Sequence, residues 1–307
     1  MSRLFQNVCV AALLVAGAPV MAQDVTIEGR TIIPENLTST ADGTLYIGSY
    51  GAGGIYRAAP GARTASRWLA PGAGSVNRVM GLWADEARGQ LWACDTSAKV
   101  DDRTDSSAST GSVKQLELAT GKLIASYPME GGGACNDLTL ARDGTLYITD
   151  MAGRILRIRP GDKAMTTWSR SPLLESADGL AVLDDGRLYV NSFRSGKLLR
   201  IAINADGSAG AVTELKTARP LEQPDGMRQS GPNRILLIEA AGKLSELTIA
   251  GDTVQVRTVK DDVADPAGVT LAGNTAYVSS AGWQTLRDPA ADKGVFTIFA
   301  IPYSPAD

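Results

Sequence analysis

Four residues with oxygen-bearing side chains occupy the same position, each ahead of its own strand-like segment. Each lies ten residues before the Leu or Ile that begins an apolar run, and they are Glu35, Asn136, Asp178 and Asp225. If these segments are copies of one unit, the four side chains converge on one axis. Carboxylate and amide oxygens are the ligands that hard cations such as Ca²⁺ and Mg²⁺ prefer. Crowded carboxylates repel one another, so a cation or bound protons must neutralise them. The pattern therefore indicates a divalent-cation site.

Each of these residues also allows a simpler interpretation. Asp178 and Asp225 precede Gly, a combination typical of turns, and Glu35 also suits an exposed loop. The two equivalent positions in less regular segments hold Met80 and Ala267, so the predicted cluster is one-sided. The shared position of the four polar residues favours one site over four unrelated turns.

The composition excludes several kinds of catalytic site. The chain has no His, which rules out a Ser-His-Asp triad, a Cys-His pair, a His-ligated zinc and a His-dyad lactonase. Beyond the N-terminal apolar run, Cys94 and Cys135 allow two interpretations: a disulfide in an oxidising compartment, or two small buried side chains. The formal net charge of −3 argues against nucleic acid or an anionic membrane as a partner.

The first 22 residues have the features of an export signal. Arg3 supplies positive charge, residues 8–20 are almost wholly apolar, and residues 20–22 form a small-residue cleavage site. The apolar run is shorter than the roughly 20 residues that a membrane-spanning helix needs. We therefore predict a signal peptide over residues 1–22, no membrane anchor after cleavage, and a periplasmic or secreted protein.

One unit recurs along the rest of the chain. Its clearest copies cover residues 35–49, 136–150 and 178–192, and each has an alternating segment, an Asp-Gly pair and a Leu-Tyr-Ile or Leu-Tyr-Val strand. Asp-Gly between two such segments is a strong hairpin signal. Three weaker copies begin at Met80, Asp225 and Ala267. A third strand follows every hairpin and a fourth follows five of them, which is typical of propeller blades.

We therefore predict an all-β fold, a six-bladed β-propeller with four antiparallel strands per blade, in a single domain over residues 23–307. The sixth unit has three strands, and residues 25–32 can supply the fourth by pairing with residues 294–301, which would close the ring. The first strand of a blade lines the central channel and starts at one face, called here the top face. Two long loops, residues 97–110 and 281–293, belong to that face. The second contains Trp283, a candidate substrate contact.

At these residues the sequence resembles the family of senescence marker protein, gluconolactonase and regucalcin, which is related in architecture to the diisopropyl fluorophosphatase and paraoxonase propellers. The resemblance covers the whole chain after the signal and rests on four short motifs in order. They are Pro34-Glu35, Cys135-Asn136-Asp137, Ala177-Asp178-Gly179 and Pro224-Asp225-Gly226.

The resemblance implies a divalent ion at the mouth of the channel, with Ca²⁺ as the first candidate and Mg²⁺, Mn²⁺ or Zn²⁺ as alternatives. Glu35, Asp178 and Asp225 would be its ligands, and Asn136 would be a further ligand or a substrate contact. Members of this family mostly hydrolyse lactones or related esters. By this similarity, the ion would polarise the carbonyl of a small-molecule substrate and activate a water, with Asp225 as general base.

Two positions depart from the family pattern. Residue 178 is Asp where the family usually has Asn, which adds a negative charge to the site. Members that act on sugar lactones tend to place an Arg two residues before the Asn, and here that position is Ala134. Recognition of a sugar acid through that Arg is therefore not expected.

Three other functions fit the same architecture. A phosphotriester or fluorophosphate hydrolase would use the same donors on a different electrophile. A non-catalytic propeller would bind a ligand or a protein and keep the ion as a structural element. A strictosidine-synthase-like protein would need no metal, and the four polar residues favour the metal-bearing functions over it.

Overall fold

The computed structural model describes residues 22–96, 111–292 and 294–306. The predicted signal peptide, apart from residue 22, and the whole of the predicted 97–110 loop lie outside the described residues. Within the described residues the chain forms six antiparallel blades, each with at least four strands. The predicted six-bladed β-propeller is therefore confirmed. No helix in these residues has the length and apolar character needed to cross a bilayer.

The strands follow one another along the chain blade by blade after an initial strand, β1 (Val25–Glu28). Blade 1 consists of β2 (Pro34–Ser39), β3 (Leu45–Ser49), β4 (Ile55–Ala58) and β5 (Ser66–Leu69). Blade 2 consists of β6 (Arg78–Asp85), β7 (Gln90–Thr96), β8 (Gly111–Glu117) and β9 (Leu123–Pro128). Blade 3 consists of β10 (Cys135–Leu140), β11 (Leu146–Asp150), β12 (Ala152–Ile158) and β13 (Thr166–Glu175).

The second half of the ring repeats this order with two additions. Blade 4 consists of β14 (Ala177–Val182), β15 (Arg187–Ser192), β16 (Lys197–Ile203) and β17 (Ala209–Glu214). Blade 5 consists of β18 (Lys216–Thr217), β19 (Pro224–Gly231), β20 (Arg234–Glu239), β21 (Lys243–Ala250) and β22 (Thr253–Lys260). Blade 6 consists of β23 (Pro266–Ala272), β24 (Thr275–Ser280), β25 (Val295–Pro302) and β1. Short 3₁₀ turns cover Ala73–Ser75, Glu86–Arg88, Trp283–Leu286 and Pro289–Ala291.

The first strand of every blade lines the channel. The strands β2, β6, β10, β14, β19 and β23 each contact the next, and β23 contacts β2, so they form a closed ring. Apolar residues of neighbouring sheets fill the space between blades; Tyr46, Ile55, Leu82 and Leu91, for example, bury one continuous cluster between blades 1 and 2. This packing fixes each inner strand from both sides.

The N-terminal strand closes the ring as predicted, although it is shorter than the predicted residues 25–32. β1 pairs antiparallel with β25, with Val25 opposite Ile298 and Glu28 opposite Val295. The strand ends because Gly29 and Thr31 have φ values of 138° and 57°, which turn the chain toward β2.

Two strands also reach a neighbouring blade, which the sequence analysis did not predict. The Thr26 amide donates to the Arg63 carbonyl at 2.9 Å, so β1 contacts the chain that leads into β5 of blade 1. β18 lies parallel to β22, where the chain leaving blade 4 covers the outer edge of blade 5. Both contacts cover sheet edges that would otherwise carry unpaired backbone groups.

Candidate functional site

Every inner strand contains a β-bulge at the position aligned in the sequence analysis. In blade 1, Pro34 pairs with Ser49 and Leu37 with Ile47, so Glu35 and Asn36 together face one residue. A bulge re-aims side chains that strict alternation would send to opposite faces. The other five pairs at this position are Met80–Gly81, Asn136–Asp137, Asp178–Gly179, Asp225–Gly226 and Ala267–Gly268.

The second bulge position is Gly in four blades because the inner strands come very close together there. A Cβ on Gly226 would lie 2.8 Å from the Ala267 carbonyl oxygen, and one on Gly268 would lie 2.6 Å from Asn36 Oδ1. Gly179 and Gly226 therefore lie within strands, and the alternative that their Asp-Gly pairs are ordinary turns is wrong.

Hydroxyl and amide side chains on the second strands bind backbone groups that the bulges leave unpaired. Thr149 Oγ1 accepts from the Asp137 amide at 3.0 Å, and Ser279 Oγ accepts from the Gly268 amide at 2.8 Å. Asn191 Nδ2 donates to the Asp225 carbonyl at 2.5 Å. Thr149 and Ser279 therefore hold the bulge of their own blade, whereas Asn191 of blade 4 holds the bulge of blade 5.

A second set of contacts fixes the chain three residues before four of the six bulges. A buried polar residue at or near the end of the second strand binds backbone at that point in four blades. These contacts are Ser49 Oγ to the Ile32 carbonyl (2.5 Å), the Asn77 amide to Asp95 Oδ1 (2.6 Å), Ser192 Oγ to the Glu175 carbonyl (2.7 Å) and the Glu222 amide to Glu239 Oε2 (2.7 Å). The sequence carries a signal for them, since the corresponding residue is polar in all six repeats.

The structure brings the four predicted residues into one cluster. Asn136, Glu35, Asp178 and Asp225 are 2%, 4%, 7% and 7% exposed. The Asp178 carboxyl interacts with the side chains of both Asn136 and Asp225. Burial, followed by the Asp137 charge, raises the pKa of Asp178 to about 7. The cluster is therefore a set of mutually repelling acids removed from water.

The pKa values of the other two acids of the cluster, Glu35 and Asp225, are also raised. Burial raises the pKa of Glu35 well above its ordinary value, and the carboxylates of Asp178 and Asp137 raise it further. Burial also raises the pKa of Asp225, with further contributions from Asp178 and Glu35. Because the pKa values of three neighbouring carboxyl groups are raised together, the site favours the binding of protons or of a cation.

Two charged residues of the channel were not predicted as part of the site. Asp137 follows Asn136 in the blade 3 bulge, and Arg228 follows Asp225 by three residues. Arg228 Nη1 lies 3.2 Å from Asp137 Oδ2, and both side chains are buried. The same repeat alignment could have identified Arg228, because its equivalents are Thr38, Trp83, Thr139, Ala181 and Thr270.

The chemistry of the donors fits a hard cation. Four carboxyl groups are buried here, and in the described residues the ion pair of Arg228 is with one of them, Asp137. Burying the other carboxylates without compensation is costly. Among the described residues, Glu35 Oε2 and Asn191 Oδ1 are buried oxygens with no hydrogen-bond partner. In the same residues, however, no three Asp, Glu, Cys or His side chains converge as a ready-made ion-binding group. The donors are thus clustered without being focused on one point.

Cys94 and Cys135 form a disulfide directly behind the site. Their Cα atoms are 5.3 Å apart, and both residues are buried. Cys94 stands opposite the Met80–Gly81 bulge, and Cys135 immediately precedes Asn136. Of the two interpretations that the sequence left open, the structure has the disulfide, and it joins the inner part of blade 2 to that of blade 3.

Trp283 lies on the rim of the top face. Its ring is 5.6 Å from the Tyr50 ring in an edge contact, and the Tyr50 amide donates to the Ile33 carbonyl at 3.0 Å. The Arg78 guanidinium lies 5.9 Å from the centre of the same Tyr50 ring. Ile33 and Arg78 each lie two residues before a bulge. The rim at blades 6, 1 and 2 is therefore aromatic and carries a cation.

No residue of the carboxyl cluster lines the cavity near the closing strand. A cavity of about 440 Å³ lies near the closing strand, lined by residues that include Glu28, Arg30, Tyr56 and Arg67. Arg67 there already donates to the Tyr56 hydroxyl at 2.6 Å. We locate the candidate site by its buried unpaired oxygens and crowded acids, since cavity size alone says nothing of chemistry.

Comparisons with known proteins establish the fold of this chain and nothing finer. No protein-family model matches the chain, and no curated protein sequence matches it. Among solved structures, the major allergen Mala s 1 of Malassezia sympodialis is similar with a TM-score of 0.71 and 13% identity, over 92% of this chain and 96% of that one. A gluconolactonase from Xanthomonas campestris has a TM-score of 0.63 and 15% identity, over 91% of each chain.

A lyase has the same architecture. Virginiamycin B lyase from Staphylococcus aureus has a TM-score of 0.60 and 18% identity, over 84% of this chain and 82% of that one. The propeller thus occurs in a gluconolactonase, a lyase and an allergen, and identities this low establish a shared fold alone.

Proposed function

We propose that this protein is a divalent-metal-dependent hydrolase of the lactonase or esterase type, with its ion held at the mouth of the propeller channel. The observation that carries the proposal is the excess of buried acid: Glu35, Asp137, Asp178 and Asp225 are all buried, and in the described residues the ion pair of Arg228 is with Asp137. The occurrence of gluconolactonases on the same fold supports it. Export to the periplasm or the medium is part of the proposal, and the disulfide suits an oxidising compartment.

Glu35, Asp178, Asp225 and Asn136 would hold the ion, with Ca²⁺ as the first candidate. Glu35 offers an oxygen that has no other partner in the described residues. Because these donors are not already focused on one point, binding would draw the carboxyl groups together. A bound divalent ion supplies Lewis acidity to an ester carbonyl and lowers the pKa of water.

Asp225 is the proposed general base. Burial and the neighbouring acids raise its pKa, which makes its carboxylate a stronger proton acceptor than an exposed Asp. Asn191 of blade 4 donates to the Asp225 backbone carbonyl at 2.5 Å, so the neighbouring blade fixes this residue. Asn136 and Trp283 remain proposed substrate contacts, one within the cluster and the other on the rim.

A binding propeller with a structural ion is the second candidate. The observation that favours it is the lack of three focused acidic ligands in the described residues. A phosphotriester hydrolase would use the same donors, so only the substrate distinguishes it from the lactonase.

The decisive experiment assays the purified chain lacking residues 1–22 on lactone, ester and phosphotriester panels, before and after chelation. We expect hydrolysis of a lactone or ester that stops on chelation and returns with Ca²⁺ or another divalent ion. Asp225→Asn should lower kcat/KM at least about a hundredfold, since it removes the general base. Asp206→Asn, on an exposed hairpin, is the matched control.

Three outcomes would contradict the proposal in different ways. Turnover that survives chelation, or that Asp225→Asn leaves unchanged, would exclude the metal-and-base mechanism. Turnover of phosphotriesters alone would assign the site to the other hydrolase class. Stoichiometric ion binding without turnover on any panel would favour the binding propeller.

A further inference from the structure

The Arg228 side chain crosses the channel and reaches blades on its far side. It starts in β19 of blade 5 and is 5% exposed. Its guanidinium lies 5.2 Å from the ring centre of Trp83 in blade 2. Trp83 occupies the equivalent repeat position, so these two large side chains fill one layer of the channel together.

The hydrogen bonds of Arg228 go to the bulges. Nη1 donates to the Met227 carbonyl at 2.8 Å, and Nη2 donates to the Leu82 and Leu37 carbonyls at 2.9 and 3.3 Å. Each of these three residues is the first one after a bulge. A single guanidinium therefore binds the same backbone position in blades 5, 2 and 1.

The remaining partners are side chains within bulges. Nη1 lies 3.2 Å from Asp137 Oδ2 in blade 3, and Nη2 lies 3.4 Å from Asn36 Oδ1 in blade 1. Asp137 and Asn36 also accept from the amide of the next residue, each at 2.8 Å. The contacts of Arg228 thus stop at blades 1, 2, 3 and 5, and none is described for blades 4 and 6.

We propose that Arg228 is the positioning residue of the site: it fixes the bulges that carry Glu35, Asn136 and Asp225 and closes the channel beneath them. The planar fork of an Arg suits this task, because it offers five donors in fixed directions. Lys keeps the charge but cannot reach several carbonyls at once. The proposal rests on the proposed function only for the choice of Ca²⁺ as probe.

The first test needs no ion. Hydrogen exchange of Arg228→Lys, measured without divalent cations, should show faster exchange at the bulges of blades 1, 2, 3 and 5. Exchange at residues 178–180 and 267–269, in blades 4 and 6, should stay as in the parent protein. Uniform acceleration around the ring, or a change confined to blade 5, would overturn the proposal.

The second test uses Ca²⁺ binding measured by calorimetry well below the unfolding temperature. Arg228→Lys should weaken binding about tenfold or more, the size of effect seen when a residue that orients metal ligands is lost. Unchanged affinity in a folded Arg228→Lys protein would overturn the proposal. If the parent protein binds no Ca²⁺, the proposed metal site fails, and the exchange pattern alone decides the role of Arg228.

Arg257→Lys is the matched control. Arg257 is on the outer strand of the same blade and pairs with the buried Glu246 at 3.2 Å, away from the channel. We expect this variant to leave both the Ca²⁺ affinity and the exchange at the bulges unchanged. If Arg228→Lys does not fold, Asp137→Asn removes one partner and should accelerate exchange in blade 3; unchanged exchange there would count against the proposal.

Discussion

Asp178 shows how a single carboxyl changes the electrostatics of the channel. Asn, the residue that the resembled family usually has at this position, would be neutral. Here the residue is a carboxyl group that interacts with Asn136 and Asp225. Burial and the negative charge of Asp137 raise its pKa to about 7. At neutral pH the cluster therefore holds a proton that a bound cation would compete for.

The first prediction concerns the stability of the cation-free protein. Since the pKa of Asp178 is raised, the folded state binds more protons than the unfolded state between the ordinary carboxyl pKa and about 7. The free energy of unfolding should therefore fall as pH rises through that window. Asp178→Asn should stabilise the cation-free protein by about 2 kcal/mol at pH 8, because it removes one of the repelling charges.

Thermal unfolding in chelator at pH 5.5 and pH 8 tests this prediction. The parent should melt at a lower temperature at pH 8, and Asp178→Asn should narrow that difference, by on the order of 5 °C. Asp206→Asn is again the control. If the difference in melting temperature between pH 5.5 and pH 8 is the same in Asp178→Asn as in the parent, other groups cause the pH dependence.

At the scale of elements, the repeat made most of the fold predictable. The Asp-Gly hairpins, the third and fourth strands and the closing strand all follow from local patterns, and the structure has them. The shared position of Glu35, Asn136, Asp178 and Asp225 was also visible, and the structure clusters them. Local patterns suffice here because every blade is built from the same antiparallel strands and packs against its neighbours in the same way.

The bulges and the roles of Asp137 and Arg228 were not predicted. Alternation sends consecutive residues to opposite faces of a strand, so Asp137 was not expected beside Asn136 in the channel. Its actual direction depends on a one-residue shift against β11, which is a property of pairing between strands. The partners of Arg228 come from four blades, and no local pattern encodes contacts across the channel.

The closing strand provides a prediction at this scale. Ile27 is fully buried, pairs with Phe296 and belongs to the core between blades 6 and 1. Ile27→Ala should lower the free energy of unfolding by about 2–5 kcal/mol, because it leaves a cavity in that core. Glu28→Ala, at an exposed position of the same strand, should cost far less. Equal effects in denaturant unfolding would mean that β1 contributes little packing to closure.

At the scale of the whole molecule, the contacts that close the ring of blades also hold the candidate site. The inner strands form a closed ring, Arg228 spans it, and the disulfide ties blade 2 to blade 3 next to Asn136. A loss of closure would therefore spread to the site.

The disulfide gives the last prediction. It links residues 41 apart in sequence, and replacing both Cys by Ala should lower the free energy of unfolding by about 3 kcal/mol through the gain in unfolded-chain entropy. Denaturant unfolding checks the magnitude. A thiol titration of the unfolded, unreduced chain lacking residues 1–22 should find no reactive thiol, and two thiols would contradict the bond.

The bulge that recurs in all six blades has a consequence for how such a protein can evolve. Each blade presents the first side chain of its bulge at the same level of the channel. At the bulges of blades 1, 3, 5 and 6, a polar side chain of a second strand binds the backbone. Met80 and Ala267 occupy two of these six positions with apolar groups. A single substitution there would add a donor, and one at Asp178 would remove one, while the strands that close the ring stay untouched. The donors at the channel mouth can therefore change one blade at a time while the strands that form the fold stay the same.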